Sequence, residues 1–280
     1  MNYLYGLIGG KLSHSFSPQI HDLILKKLNI EGTYNLFEVK EEGLKSKIHE
    51  LKSLGIKGLN VTIPYKTNIM KYLQNTSHEA KKIGAVNTVD FKNGMITGYN
   101  TDYHGFGAAL KHSHIDVNNK NAVILGTGGA SKAVFRYLAD NNIKNVIFVS
   151  RNPLKVSQKN VFDSDIISYE DLNTLNNQDI IINCTPCGMY PDTAKCPVNK
   201  EIFAKFSAAA DLIYNPLDTV FLKEAQKIEI KTVNGLYMLV SQAAASEEIW
   251  QDTKIDEETV EEIYEKIRIL INSREMGKIR

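Results

Sequence analysis

An excess of charge of either sign is missing from this chain. Its 280 residues carry 33 Lys and Arg against 32 Asp and Glu, a net charge of +1. So even a balance gives no electrostatic footing on nucleic acid or on an anionic membrane, and argues against both as partners. Long apolar runs are missing too, since no stretch approaches the roughly 18 residues of a membrane span. The segment Met1-Asn2-Tyr3-Leu4-Tyr5-Gly6-Leu7-Ile8 has neither a basic region nor a cleavage site. It reads as a first strand rather than a signal peptide, and the expectation is a cytoplasmic protein. Cysteine is scarce: Cys184, Cys187 and Cys196 are the only three. Cys184 and Cys187 have a C-x-x-C spacing, but a structural zinc site needs four ligands and no histidine lies nearby in sequence. The motif follows a buried-strand pattern, Asp179–Asn183, late in the chain, so free thiols and no metal are expected. Internal repeats, low-complexity segments and a Gly/Pro-rich linker are absent as well.

What is present is an ordinary soluble composition, 43% apolar and 23% charged, in a chain long enough for two modest cores. The first part alternates strand and helix patterns. Tyr3–Ile8, Thr33–Val39 and Gly58–Ile63 read as strands. One helix carries Ile20, Leu23, Ile24 and Leu28 on a face, and Leu44–Leu54 forms a second. Val86–Phe91 and Met95–Tyr99 predict a hairpin turning at Asn93-Gly94. From about Asp102 a second unit begins, with strands at Asn121–Leu125, Asn145–Val149, Asp179–Asn183, Ala209–Ile213 and Ile230–Val233. Val260, Ile263, Tyr264, Ile267, Leu270 and Ile271 then mark an apolar stripe on a last helix. The expected fold class is α/β: a mostly parallel N-terminal layer (residues 1–101), a doubly wound Rossmann-type unit (102–236), and C-terminal helices returning to the first domain (237–280).

Two motifs in the second unit point to a dinucleotide. Val123-Ile124-Leu125 runs into Gly126-Thr127-Gly128-Gly129-Ala130-Ser131, a strand feeding glycines into a helix start. Gly126 allows the tight turn, Gly128 lets the backbone approach a pyrophosphate, and the free N–H groups beyond hold the anion. Ser131 stands where a third Gly or Ala is usual, so an ordinary strand–helix turn is the alternative. The next strand ends in Ser150-Arg151-Asn152, with Lys155 close behind. A carboxylate there would bind the ribose hydroxyls of NAD, whereas Ser150, Arg151 and Lys155 suit the 2′-phosphate of NADP. The alternative is a solvated basic turn.

The first unit carries four polar features. Ser15 and Ser17 precede a helix, with Ser17 placed as its N-cap and Pro18 as its first residue, and together they suit a small anion such as a carboxylate. Thr62 and Lys66, in Asn60-Val61-Thr62-Ile63-Pro64-Tyr65-Lys66, lie at the C-terminal end of a strand, the ligand side of a parallel sheet. Asn87 can orient a hydroxyl through its amide, or satisfy a turn. Asp102 can be a catalytic carboxylate, or cap the helix of Phe106 and Leu110. Together they supply what a hydride transfer between a carbonyl and an alcohol needs: an anchor, a polarising donor and an acid/base.

The chain resembles the shikimate dehydrogenase family nearly end to end. Six blocks match in order: His14–Pro18, Asn60–Lys66, Gly84–Thr88, Gly98–Asp102, Gly126–Ser131 and Asn234–Ala243. The resemblance implies reduction of 3-dehydroshikimate to shikimate with NADP(H), in aromatic amino-acid biosynthesis. It implies that Lys66 and Asp102 form the catalytic dyad, with Lys66 as acid/base. Ser15 and Ser17 would hold the substrate carboxylate, with Tyr214 near it. Thr62, Asn87 and Gln242 would bond the ring hydroxyls. Gly126, Gly128, Gly129, Ala130, Ser150, Arg151, Asn152 and Lys155 would bind the cofactor, with Gly235 and Met238 against the nicotinamide. The implied partners are small molecules only, for a monomer or homodimer. The sequence departs from the family at Ser150, where Asn is frequent, at Lys155, where Arg is frequent, and in the loop after Met189. The alternatives are a quinate/shikimate dehydrogenase of broader cofactor use and a non-catalytic sensor of shikimate and NADP.

Overall fold

The computed structural model describes residues 3–157 and 164–278. The chain divides into two compact units: residues 1–105 with 239–267, and residues 106–238 with 268–280.

The first unit is built on β1 (Tyr3–Gly9), α1 (Ser17–Lys27), β2 (Gly32–Glu38), α2 (Leu44–Ser53), β3 (Gly58–Val61), β4 (Asn75–Thr76), α3 (His78–Ile83), β5 (Thr88–Asp90) and β6 (Thr97–Tyr99). Its six strands lie in the order β2-β1-β3-β5-β6-β4. β1 pairs in parallel with β2 and β3, whereas β5 runs antiparallel to β3 and β6. α2 buries Leu44, Ile48 and Leu51, a helical stripe, onto Ile8, Leu59, Val61 and Val89 of the sheet.

Three local expectations are corrected. α1 buries Ile20, His21, Ile24 and Leu25, while Leu23 and Leu28 are only half-buried, so its inner face includes a histidine. The N-cap of α1 is Phe16, not Ser17, and Ser15 Oγ accepts the Ser17 N–H at 3.2 Å. The β5–β6 connection is longer than two residues, because Asp90 pairs with Thr97. Asn93 (φ 55°) and Gly94 (φ 73°) still make its tip, in the left-handed conformation those residue types favour.

The second unit follows α4 (Asp102–His112), which carries the chain across. It comprises β7 (Asn121–Leu125), α5 (Gly129–Asp140), β8 (Asn145–Val149), α6 (Pro153–Ser157), β9 (Asp165–Ile167), β10 (Ile180–Asn183), β11 (Ala208–Asp211), α7 (Val220–Gln226) and β12 (Lys231–Val233). All six strands are parallel, in the order β12-β11-β10-β7-β8-β9. Counted from β7 this is the doubly wound order 3-2-1-4-5-6, whose strand order reverses between β7 and β10. A buried cluster that includes Val123, Leu125, Ile181, Ala209, Phe203 and Phe221 forms one core of this unit. β9 was not anticipated from the sequence. It is a short edge strand with no fully buried residue, and so carries no apolar run.

α8 (Gly235–Gln251) takes the chain back, and α9 (Glu257–Lys278) ends it. Trp250 of α8 lies flat on β3. A Cβ at Gly58 would sit 2.2 Å from the indole, so only glycine admits the ring there. The indole N–H donates to Val89 O at 3.0 Å. α9 buries Val260, Ile263, Ile267 and Ile271 at helical spacing.

Candidate active site

β3 ends at Val61, and the following segment carries Thr62 and Lys66. Lys66 O accepts the Val86 N–H at 2.7 Å, which ties this segment to the one that holds Asn87. Gly9 allows Thr62 to come close, because a Cβ at Gly9 would lie 2.6 Å from the Thr62 methyl.

Lys66 Nζ donates to Asp102 Oδ2 at 2.6 Å, with side-chain exposures of 14% and 5%. Asn87 Nδ2 donates to the other carboxylate oxygen at 2.9 Å, to Thr101 Oγ1 at 3.0 Å and to Gln242 Oε1 at 3.3 Å. Asn87 Oδ1 in turn accepts the Thr101 N–H at 2.7 Å, which fixes the amide orientation. Asp102 thus serves the lysine rather than a helix cap, and Asn100 Oδ1 accepts the Tyr103 N–H at 3.3 Å. Four of the anticipated residues, Lys66, Asn87, Asp102 and Gln242, therefore share one bonded cluster. Charge-assisted bonds in so dry a setting are strong and directional.

Behind them lies a set of buried polar groups not singled out from the sequence. Asn60 Nδ2 donates to Ser246 Oγ (2.9 Å) and Thr88 Oγ1 (3.1 Å), and its Oδ1 accepts from Tyr34 OH (2.8 Å). Ser246 Oγ is also within 2.9 Å of Thr88 Oγ1 and 3.2 Å of Thr101 Oγ1, and donates to Gln242 O at 2.9 Å. The available signal was a polar residue inside a buried strand, Asn60 in Gly-Leu-Asn-Val. Ser246 was detectable only as the residue one helical turn after Gln242.

Ser15 and Ser17 stand apart from this cluster's bonds. Their hydroxyls are 3.1 Å from one another at the start of α1, whose first turn has no acidic residue. The positive end of an 11-residue helix thus carries two hydroxyls, as an anion site requires.

In the second unit, Gly126 has φ +95°, and a Cβ there would press to 2.8 Å on Thr185. Gly128 is the N-cap of α5. Among the described residues, no side chain caps that helix and nothing lies within 4 Å of where a Gly128 Cβ would be. Gly129 and Ala130 follow with the free first-turn N–H groups, while Ser131 Oγ donates back to Gly128 O at 2.7 Å. An open glycine backbone at the β7–β10 reversal fits a dinucleotide pyrophosphate. Ser150 Oγ accepts the Asn152 N–H at 3.1 Å, and Arg151, Asn152 and Lys155 are exposed beside it. Gly235 is forced by close approach, since a Cβ would lie 2.1 Å from Leu212 O. Met238 is buried, one residue after Tyr237, which stacks on His112 at 4.0 Å. Tyr214 is half-buried on the segment after β11. That segment is anchored by Asp211, whose carboxylate accepts from Asn183 Nδ2 (3.0 Å), the Ile213 N–H (3.1 Å) and Thr219 Oγ1 (2.7 Å). Burial outweighs these donors and pushes Asp211 up to about 6. The three thiols are unpaired, and burial pushes each of them up.

A six-stranded parallel unit with an open glycine turn, and an α/β unit holding a desolvated lysine–carboxylate pair, define a two-unit nucleotide-dependent oxidoreductase. Comparison with known proteins narrows the class. Residues 7–89 match the family model described as the shikimate dehydrogenase substrate binding domain, and residues 108–190 the model described as shikimate / quinate 5-dehydrogenase. A shikimate dehydrogenase (NADP(+)) of Clostridium perfringens strain 13 is 47% identical over 266 residues, 95% of this chain and 98% of the relative. A chorismate mutase/shikimate 5-dehydrogenase fusion protein from Clostridium acetobutylicum superposes with a TM-score of 0.93 at 52% identity, covering 97% of this chain and 99% of that one. The Thermus thermophilus shikimate 5-dehydrogenase, solved in complex with NADP(H) and shikimate, has a TM-score of 0.84 at 32% identity, over 94% and 99% of the two chains. The chain belongs to the shikimate dehydrogenase family.

Proposed function

We propose that this protein reduces 3-dehydroshikimate to shikimate with NADPH, in the cytoplasm. The observation that carries the reading is the Lys66–Asp102 pair at 2.6 Å, held by Asn87 and backed by Gln242. Bound NADPH supplies the hydride, and everything else falls to the chain's own side chains. As the ketone carbon is reduced, negative charge grows on its oxygen. Lys66 Nζ stabilises that charge and delivers the proton, and in the reverse direction takes it back. Asp102 aims the ammonium and accepts a bond from the same hydroxyl. Thr62, Asn87 and Gln242 bond the ring hydroxyls, and Ser15 and Ser17 hold the carboxylate, with Tyr214 near it. The unit of residues 1–105 with 239–267, which includes Asp102 and Gln242, is the substrate domain, and residues 106–238 are the NADP domain, in place of the expected bounds 1–101, 102–236 and 237–280. Gly126, Gly128, Gly129 and Ala130 hold the pyrophosphate, and Gly235 and Met238 back the nicotinamide. Ser150, Arg151, Asn152 and Lys155 read the 2′-phosphate, with no carboxylate among them to repel it.

The test is absorbance at the nicotinamide band with shikimate or quinate and NADP+ or NAD+. Rapid reduction of NADP+ by shikimate alone is expected. Comparable turnover of quinate or NAD+ would move the assignment to the broader dehydrogenase. No turnover by folded protein would refute catalysis.

A further inference from the structure

α1 and α8 are joined by a polar pair that is wholly buried. His21 Nδ1 lies 2.6 Å from Glu247 Oε1, and neither side chain has any exposure. The residues are 226 positions apart. Glu247 is the only hydrogen-bonding partner of the ring among the described residues, since Nε2 is buried without one. The ring stacks on Tyr34 with centroids 4.0 Å apart and on Trp250 at 5.5 Å. The far carboxylate oxygen of Glu247 accepts from Gln251 Nε2 at 2.8 Å, and the same amide donates to Tyr5 OH at 2.8 Å. Lys57 Nζ donates to Gln251 Oε1 at 2.6 Å, so the amide is oriented between a cation and the carboxylate. Burial pushes the Tyr5 hydroxyl up to about 12 against the Gln251 hydrogen bond, with the charge of Glu247 adding to it.

Apolar side chains of similar size join two helices at least as stably as a buried ionisable pair. What the pair supplies instead is direction: each group has one place to be. Its location gives that direction a use. Ser17 lies one helical turn before His21 on the same face of α1. Glu247 follows Ser246, which itself lies one turn after Gln242 and bonds to its carbonyl. We propose that His21 and Glu247 are positioning residues that lock α1 against α8, and so hold the Ser15–Ser17 anion site in register with Gln242. The inference rests on the substrate reading above.

Steady-state kinetics of the full-length protein test it, with Ser17→Ala measured alongside. Glu247→Ala is expected to raise the KM for shikimate about tenfold while kcat and the KM for NADP+ stay within about twofold. Glu247→Gln, which keeps an oxygen for His21, is expected to recover most of that loss. If Glu247→Ala leaves the shikimate KM unchanged while Ser17→Ala raises it, the lock is refuted and the substrate reading stands. If neither variant changes it, the anion site is wrong and the proposal falls with it. A loss confined to kcat refutes positioning and marks Glu247 as a folding residue. Should Glu247→Ala fail to fold, Glu247→Asp keeps the charge, shortens the reach and is held to the same outcomes.

Discussion

Asp211 makes this protein's stability depend on pH in an unusual direction. Its carboxylate is held in the second unit by Asn183, Thr219 and the Ile213 N–H, yet burial dominates and pushes it from 3.8 up to about 6. The folded chain therefore keeps the proton over a range in which the unfolded chain has lost it. Stability from this group is fully present below about pH 3.8 and is lost as pH rises through about 6, opposite to an ordinary salt-bridged carboxylate. The gap amounts to about 3 kcal/mol, of which about 2 kcal/mol falls between about pH 4.5 and 7.5. Asp211→Asn removes the titration and keeps the shape. Its oxygen retains the bonds from Asn183 and Ile213, and its amide faces Thr219 Oγ1, which reverses to accept. That reversal costs about 1 kcal/mol at any pH. Urea unfolding followed by circular dichroism measures both proteins. Relative to wild type, the variant is expected to gain about 2 kcal/mol between about pH 4.5 and 7.5. A difference that stays flat across that range, or one of opposite sign, would refute the claim that burial outweighs the three donors.

Lys66→Ala is expected to lower kcat by about 10²- to 10⁴-fold with a far smaller change in KM, because the proton transfer is lost. A variant within threefold of wild type, on the order of experimental scatter, removes Lys66 from the chemistry. Arg151→Ala is expected to weaken NADPH by about tenfold or more and to leave NADH nearly unchanged, and equal losses for both would show that Arg151 does not read the 2′-phosphate. Gly58→Ala puts a methyl group into the Trp250 ring, so a destabilisation of about 1–3 kcal/mol is expected, together with a shifted emission from the only tryptophan in the chain. Unaltered emission and stability would mean that the ring has room to move.

Much of this molecule is written locally. Runs such as Val123-Ile124-Leu125 followed by Gly126-Thr127-Gly128 name a strand, a turn and a helix start within nine residues, because apolar periodicity and glycine act over short range. The doubly wound unit, the Ser15–Ser17 helix start and the positions of Lys66 and Asp102 were all readable on that basis. Local signals failed where a neighbour supplied the reason. β9 forms because β8 offers an edge, and β4 is two polar residues paired to β6. His21 and Glu247 were not singled out from the sequence. Both are buried, because each satisfies the other across 226 positions.

The sequence by itself determined the α/β class, the glycine turn and the family, and named the residues proposed to carry the chemistry. Only the tertiary structure decided which polar groups bond to which: Lys66 to Asp102, Asn87 to both Asp102 and Gln242, Ser246 to Asn60, and His21 to Glu247. The physical reason is range. Backbone propensity and apolar period are settled between near neighbours, whereas a buried polar group takes whatever partner the packing of distant elements brings within reach.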